Sequence, residues 1–459
     1  MDEWEDYGTA EANSGRDRLS ELPDSLILSI LSLLDMRDVV RTSIFSKRWR
    51  YLWSTIPCLE FFEQTSSTIS RVLSQWKCPK ILKFQLSFGN FTEGLSIDVD
   101  SWLLFVIEKQ VGEFFLDFFN SDHKYRLPQA LYSCSSITKL TLEDCTLRIE
   151  ENVQWNQLKI LKLGYLNWLS GDAINQILLG APRLEELVLE YILYDIGENE
   201  NFNIRSTSLK MLNIIVDHDA RWPETAVLRI WAPNLLTFNI EASLYCTCLL
   251  DVPSLTHAIL NLFNFGDIAT RFKLFKHVFR GIRHVEKVKL SSNWFIKSLV
   301  ELKNQDMVMP LLDSKILELY HGDAKDMLDL VGMMFPKLER LIVRTFCYKD
   351  ISAEDLHIAM VDVCNSLASA KMTFPSPSLL HLKTIEATCS MCDPSIIPAI
   401  EILLENAPVL EKMVIRLKRD ESDPKTFTLA REKVLSMPRS SPTAQVIISL
   451  VNPPYHFNL

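Results

Sequence analysis

The sequence predicts an α/β chain: a helical segment at the front, then a solenoid of strand–helix units with a parallel sheet on its concave face, ending in an α/β cap. Three observations predict it. One short pattern, apolar-x-x-apolar-x-apolar, returns from Ile81 onward, mostly at roughly 20–30-residue spacing, the mark of a stacked repeat array. Stretches with helical apolar spacing lie between its copies, as in DVDSWLLFVIEKQ and GDAINQILLGA. And the segment Asp17 to Trp53 carries more apolar surface than about 40 residues enclose on their own.

The front segment comes first. Pro23 suits the opening turn of a helix, where a missing N–H leaves nothing unsatisfied, and Asp24 favours the positive end of the helix dipole. Leu26, Ile27, Ile30, Leu31 and Leu34 follow as one apolar stripe at helical spacing. Asp35 is placed to cap a second helix, with Asp38 as its capping-box partner. That helix carries Val39, Val40, Ile44, Trp49, Leu52 and Trp53 on apolar positions and Arg37, Arg41, Lys47, Arg48 and Arg50 on a basic face. Pattern alone leaves two readings: the stripe packs on the rest of the chain, or it docks on a partner.

The repeat follows. Its copies are Ile81, Phe84, Leu86; Val111, Phe114, Leu116; Ile137, Leu140, Leu142; Leu158, Leu161, Leu163; Leu184, Leu187, Leu189; Leu209, Leu212, Ile214; Leu235, Phe238, Ile240; Val285, Val288, Leu290; Leu338, Leu341, Val343; and Leu410, Met413, Ile415. Weaker copies sit near Leu255, Leu317 and Leu382. Several open alike, as APRLEELVL, APNLLTFNI, FPKLERLIV and APVLEKMVI. The proline stops the preceding element and the leucine after it enters the core ahead of a strand.

Side chains alternate along a strand, so the residue between the two core positions points to the concave face. These are Gln85, Phe115, Thr141, Lys162, Val188, Asn213, Asn239, Lys289, Glu318, Ile342, Glu386 and Val414. Their mixed polarity and balanced charge lack the clustered arginines of phosphate recognition and suit a protein or peptide. Phe115, Thr141, Lys162, Val188, Asn213, Asn239, Lys289, Glu318 and Ile342 are the candidate substrate-facing residues. The competing expectation is that neighbouring loops cover several of them.

After Ser378 the sequence reads as a strand, a helix from Ile396 to Asn406, a strand from Lys412 to Leu417, a polar turn, and a final helix and strand.

Composition excludes several classes. A net charge of −10, from 48 Lys and Arg against 58 Asp and Glu, is a poor match for a nucleic-acid backbone. Met1 to Glu11 lacks the basic and apolar regions of a secretory signal, and no apolar run reaches the roughly 18 residues of a membrane span. The ten cysteines lack disulfide-framework spacing, so free thiols in the cytoplasm or nucleus are expected. Cys389-x-x-Cys392 is a single pair where zinc needs four ligands; even with His381 and Cys364 nearby no metal is expected. Cys246-x-Cys248 reads as core and Asp217-His218-Asp219 as a solvated turn. There is no glycine-rich phosphate loop and no serine elbow, so no cofactor and no catalytic residue are assigned.

Leu22-Pro23, the Ile-Leu-Ser-x-Leu centre and the close Ser46-Lys47-Arg48-Trp49-Arg50…Trp53 resemble an F-box. That module binds a Skp-type adaptor and through it a cullin-RING ubiquitin ligase. Asp35 stands where many members carry proline. By this resemblance the adaptor contacts are Leu22, Pro23, Leu26, Ile27, Ile30, Leu31 and Val39, with Trp49 and Trp53 packing inside the module or against the next domain. The hexads resemble the irregular leucine-rich repeats of plant F-box proteins. The usual Asn or Cys after the strand occurs suitably only at Cys145 and Asn293, elsewhere giving way to Leu166, Ile192, Asp217 or Phe346. Leu382 to Glu386, Leu404 to Ala407, Leu410 to Met413 and Pro438 to Ser441 resemble the FBD domain that ends many of them. The implied division is an acidic disordered 1–15, an F-box at 16–62, a leucine-rich-repeat solenoid at 63–370 and an FBD-like domain at 371–452. The implied function is substrate recognition within a ubiquitin ligase, without catalysis by the chain, on an unknown protein target. A non-degradative scaffold and a small-molecule-sensing receptor stay open beside it.

Overall fold

Every hexad buries its three apolar residues. Leu158, Leu161 and Leu163, like Leu184, Leu187 and Leu189, are 0% exposed, and the weaker copies at Leu255, Leu317 and Leu382 are buried as well. The structure, a computed structural model, describes residues 21–89, 91–121, 123–150, 152–166, 169–191, 201–216, 227–244, 247–263, 266–291, 293–320, 330–344, 379–390, 396–418 and 424–451. The acidic segment 1–15, Asp217 to Asp219, Cys246, Cys364 and Cys392 lie outside the described residues, as do Ile192 and Phe346.

The hexads, with Cys58–Phe62 at one edge and Gln445–Val451 at the other, form a single 15-stranded sheet in which strands follow one another in chain order. It runs through Cys58–Phe62, Lys83–Ser87, Glu113–Asp117, Lys139–Glu143, Ile160–Gly164, Glu186–Glu190, Met211–Ile215 and Thr237–Ser243. It continues through His257–Phe263, Lys287–Leu290, Ile316–Tyr320, Arg340–Arg344, Thr384–Ser390, Lys412–Lys418 and Gln445–Val451. Neighbours pair in parallel and in step: Leu140 faces Leu161, and Leu161 faces Leu187. A one-residue slip would turn each core row outward, so the buried leucines fix the register. The hydrogen-bond ladder begins one residue ahead of the strands, with Glu185 N–H donating to Lys159 O and Lys210 N–H to Glu185 O, both at 2.8 Å.

The chain returns along the convex side, mostly through helices. Ser96–Glu108 and Gly171–Gly180 fall where helical spacing predicts them. Ser170 caps the second by accepting from Ala173 N–H. A side chain at Gly180 would place its Cβ 2.3 Å from Val153 O, which explains a glycine at that helix end. Between Gly171–Gly180 and Ile268–Gly281 the expected alternation of strand and helix fails. Three strands, Asn201–Arg205, Val227–Trp231 and Thr247–Asp251, form a second parallel sheet there, with Val227–Trp231 in the middle. The physical reason is a period of two. Phe202, Leu228 and Cys248 align as one buried row, and Ile204 and Ile230 as the next.

The C-terminal elements match their reading: Thr384–Ser390, Ile396–Asn406, Lys412–Lys418, Pro424–Ser436 and Gln445–Val451. Thr384–Ser390 pairs directly with Arg340–Arg344, so the sheet is continuous across the expected solenoid–cap boundary. Residues 371–378 lie outside the described residues.

The front differs from its reading in one respect. Asp24–Leu31 is a helix with Pro23 at its N-cap, but the expected second helix is broken into Met36–Arg41, a 3-10 turn Thr42–Ile44, Trp49–Leu52 and a 3-10 turn Trp53–Thr55. Asp35 caps the first piece, accepting from Asp38 N–H at 2.9 Å, while the Asp38 carboxylate pairs with Arg41. The break follows where the Thr42 hydroxyl donates to Val39 O at 2.7 Å, a side-chain bond that competes with helix continuation. Met36–Arg41 packs on Cys58–Phe62 and covers the first edge of the sheet.

Candidate functional site

Two surfaces carry chemistry, and each is built by an alternation. On the helix Asp24–Leu31, Ile27 and Leu31 are four apart and fully buried, in a core with Met36, Val39, Trp49 and Trp53. One residue earlier, Leu26 and Ile30 stand on an adjoining face at 51% and 38% exposure. Leu33 and Leu34 prolong that face, Leu33 at 86% exposure. Pro23 is exposed and Leu22 half-buried against the core. Ile44 and Phe45 are exposed, the Phe45 ring edge-on to Trp49 at 5.7 Å. Arg48 holds the two ends of the segment together through an ion pair with Asp24.

The seven adaptor contacts named from sequence therefore separate. Pro23, Leu26 and Ile30 lie at the surface and Leu22 partly so. Ile27, Leu31 and Val39 do not: they are the inner side of the segment, and a partner cannot reach them while the chain is folded. Leu33, Leu34, Ile44 and Phe45, which the sequence reading left out of the contact set, complete the exposed apolar surface. Sequence spacing groups residues on one helix but does not say which edge of a wide stripe faces inward.

The second surface is the concave side of the sheet. The nine candidate residues occupy one continuous row, since Phe115 faces Thr141, Thr141 faces Lys162, Lys162 faces Val188 and Val188 faces Asn213. Asn213 then faces Asn239, while Lys289 faces Glu318 and Glu318 faces Ile342. Ile259, missed because its repeat is a weaker copy, links Asn239 to Lys289. Thr141, Val188, Glu318 and Ile342 are largely covered. Phe115, Thr141, Lys162 and Val188 share an open trough of ≈ 480 Å³.

The charges of this face are tied in small clusters. Lys162 Nζ lies 3.0 Å from Glu143 Oε1 and 2.9 Å from Glu190 Oε2. Burial pulls this ammonium down, and its hydrogen bonds to Glu190 and Glu143 outweigh that, leaving its pKa above the ordinary lysine value. Asp117 accepts a 3.2 Å hydrogen bond from the Ser87 hydroxyl, yet burial and the Glu143 carboxylate push its pKa up. Glu318 sits between Lys287 and Arg344, and Glu386 between Arg340 and Arg416. Burial raises Glu386, and Arg416 and Arg340 overcome it, so its pKa falls below the ordinary glutamate value. Asn239 donates to Asn213 at 2.7 Å, and Lys289 stands 4.5 Å over the Tyr320 ring. Among the described residues, no His, Cys, Asp and Glu group is placed to hold a metal, and no helix is long and apolar enough to cross a membrane. Cys145 is fully buried, which raises its thiol pKa.

Known families match both regions in sequence. The F-box domain profile matches residues 19–61, and the profile described as FBD-associated F-box protein At5g56370, LRR repeats, matches residues 99–247. The F-box/LRR-repeat protein At3g26922 of Arabidopsis thaliana is 31% identical over 255 residues, covering 53% of this chain and 82% of that protein. The F-box/LRR-repeat protein At5g02910 of the same plant is 28% identical over 89% of this chain and 90% of its own length. The F-box/FBD/LRR-repeat protein At3g52680, also of Arabidopsis thaliana, is 33% identical over 53% of this chain and 55% of its own. An F-box match over a front segment with an exposed apolar face, joined to a parallel solenoid of leucine-centred repeats, places the chain in the F-box/leucine-rich-repeat family.

Proposed function

We propose that this chain is a substrate-recognition subunit of a Skp–cullin–F-box ubiquitin ligase. The carrying observation is the exposed apolar surface of the F-box segment, Pro23, Leu26, Ile30, Leu33 and Leu34, standing over a core that is already complete without it. A few such apolar anchors supply most of the energy of an interface. The adaptor binds this surface, the solenoid row from Phe115 to Ile342 holds a protein target, and the chain itself makes no bonds. Its contribution is proximity: a held target meets the conjugating enzyme at high effective concentration.

The test uses the full chain and a purified Skp-type adaptor. Leu26→Ala with Ile30→Ala is expected to weaken adaptor binding by at least about 2 kcal/mol, roughly thirtyfold, with the melting temperature unchanged. Undiminished binding by this double variant overturns the adaptor assignment. Reconstitution with the cullin, the conjugating enzyme and a captured target completes it. Adaptor binding without ubiquitination of that target overturns the ligase role.

A further inference from the structure

The concave face carries opposite charge at its two ends, and its internal ion pairs are arranged so that neither end is neutralised. On the strands from Glu113–Asp117 to Glu186–Glu190, concave positions hold Glu113, Asp117, Glu143, Glu186 and Glu190 against Lys139 and Lys162. Here one cation, Lys162, is shared by two carboxylates at 3.0 and 2.9 Å. On the strands from Lys287–Leu290 to Lys412–Lys418 the excess reverses, with Lys287, Lys289, Arg340, Arg344, Lys412 and Arg416 against Glu318 and Glu386. There each carboxylate is shared by two cations: Glu318 by Lys287 and Arg344, Glu386 by Arg340 and Arg416. Between the ends lies a stretch whose one carboxylate or ammonium position is Glu241, centred on the Asn213–Asn239 hydrogen bond.

Building on the reading that the solenoid holds a protein target, we infer that this target presents a two-signed segment: a Lys/Arg cluster seated over Asp117, Glu143 and Glu190, and an Asp/Glu cluster seated over Arg340, Arg344 and Arg416. At their nearest strands, Glu186–Glu190 and Arg340–Arg344, the two seats are six strand spacings apart, roughly 29 Å along the sheet. An extended chain spans that with about nine residues. A polyanion such as nucleic acid meets repulsion at the first seat and a uniformly basic segment meets it at the second, so charge complementarity selects the mixed segment. Asp117 sharpens the first seat. It is half-buried beside Glu143 with the Ser87 hydroxyl as its hydrogen-bond partner, so an incoming cation relieves a crowded carboxylate.

The probes are four synthetic peptides: a Lys/Arg block and an Asp/Glu block separated by about nine uncharged residues, the same composition with its charges interspersed, and all-basic and all-acidic versions. Binding to the full chain is read by fluorescence anisotropy at low and at physiological salt. The block peptide is expected to bind at least about tenfold more tightly than the other three, with the advantage shrinking as salt rises. Asp117→Asn and, separately, Arg344→Gln with Arg416→Gln each reduce that advantage several-fold, with melting curves confirming that the variants are folded. Equal binding of the block and interspersed peptides overturns the inference, as does indifference to both variants. Concentration-dependent dimerisation that these variants abolish also overturns it, by making a second copy the occupant. The two readings fail separately. Target capture that depends on Lys162 and Val188 but ignores peptide charge order sinks the two-signed segment alone. Block-peptide preference in a chain that never binds adaptor sinks the ligase role alone.

Discussion

The front helices and the solenoid are made from the same apolar residue types and put them to opposite ends. In the solenoid every repeated leucine is hidden and the outward rows mix charged residues with polar and apolar ones. In the front segment one apolar pair, Ile27 and Leu31, is hidden, while the pair one residue before it, Leu26 and Ile30, faces solvent with Leu33 and Leu34. A stacked repeat has a neighbour on each side and so closes its own core. Among the described residues, the front segment has the solenoid on one side only. Apolar content therefore says little about docking; what counts is whether the neighbouring repeat consumes it.

The largest expected effect tests the solenoid half of this comparison. Leu187 is 0% exposed and has a core row on either side, Leu161 and Leu212. Leu187→Ala is expected to cost about 2–5 kcal/mol in urea unfolding, since packed neighbours on two strands leave the cavity little freedom to collapse. Leu33→Ala, at 86% exposure in the front segment, stays within about 0.5 kcal/mol of the parent. Similar losses at the two sites would break the comparison.

The next effect divides the front segment itself. Ile27→Ala is expected to destabilise the helix Asp24–Leu31 by about 2 kcal/mol, the low end of core truncations, because so short a helix relaxes toward the gap. Its neighbour Leu26→Ala leaves stability within about 0.5 kcal/mol and acts on adaptor binding instead. Amide exchange over Asp24–Leu31 reads the first and adaptor titration the second. A Leu26 variant that melts the helix would place that side chain in the core.

These pairs also show how much was legible in sequence. The hexad fixes three buried positions per repeat, and its strands align in register because a fixed spacing places each leucine over the last. The concave row from Phe115 to Ile342 follows from the same alternation. Two things were not legible, for physical reasons. Phe202/Ile204 and Leu228/Ile230 each alternate over one short strand without the leading apolar residue of the hexad, so the hexad does not mark the convex sheet. The edge strand is a different case: Ile56, Leu59 and Phe61 make one further hexad, all buried, ahead of the copies that start at Ile81. And the five-residue stripe at Leu26, Ile27, Ile30, Leu31 and Leu34 is wider than either face it covers, so spacing could not separate Ile27 from Leu26.

A smaller effect checks the join between the regions. Asp35 caps Met36–Arg41, the helix that covers the first strand of the sheet. Asp35→Ala leaves the Asp38 N–H without its 2.9 Å acceptor and is expected to cost about 1 kcal/mol. The loss should show in amide exchange of Met36–Arg41 and Cys58–Phe62 together. Loss confined to the helix would mean that the front segment and the sheet edge open independently.

The smallest expected effect is in pH, and it falls on the solenoid alone. Arg416 and Arg340 hold Glu386 below the ordinary glutamate value against the raising effect of burial. Its contribution to stability is thus complete above the ordinary carboxylate range and is lost as pH falls through the lowered value. Asp117 has the opposite sign: burial and Glu143 raise its pKa, so folding is favoured below the ordinary aspartate value and loses that advantage as pH climbs through the raised one. In melting curves between pH 7 and pH 3, Glu386→Gln should flatten the acid-side loss of stability. Asp117→Asn should steepen it, by removing a group that protonates more readily folded than unfolded. Each shift is expected to be under about 1 kcal/mol, as for partly exposed charges. Adaptor binding through Leu26 and Ile30 should not change with either variant. A matched change in adaptor affinity would show that the two regions are electrostatically joined after all.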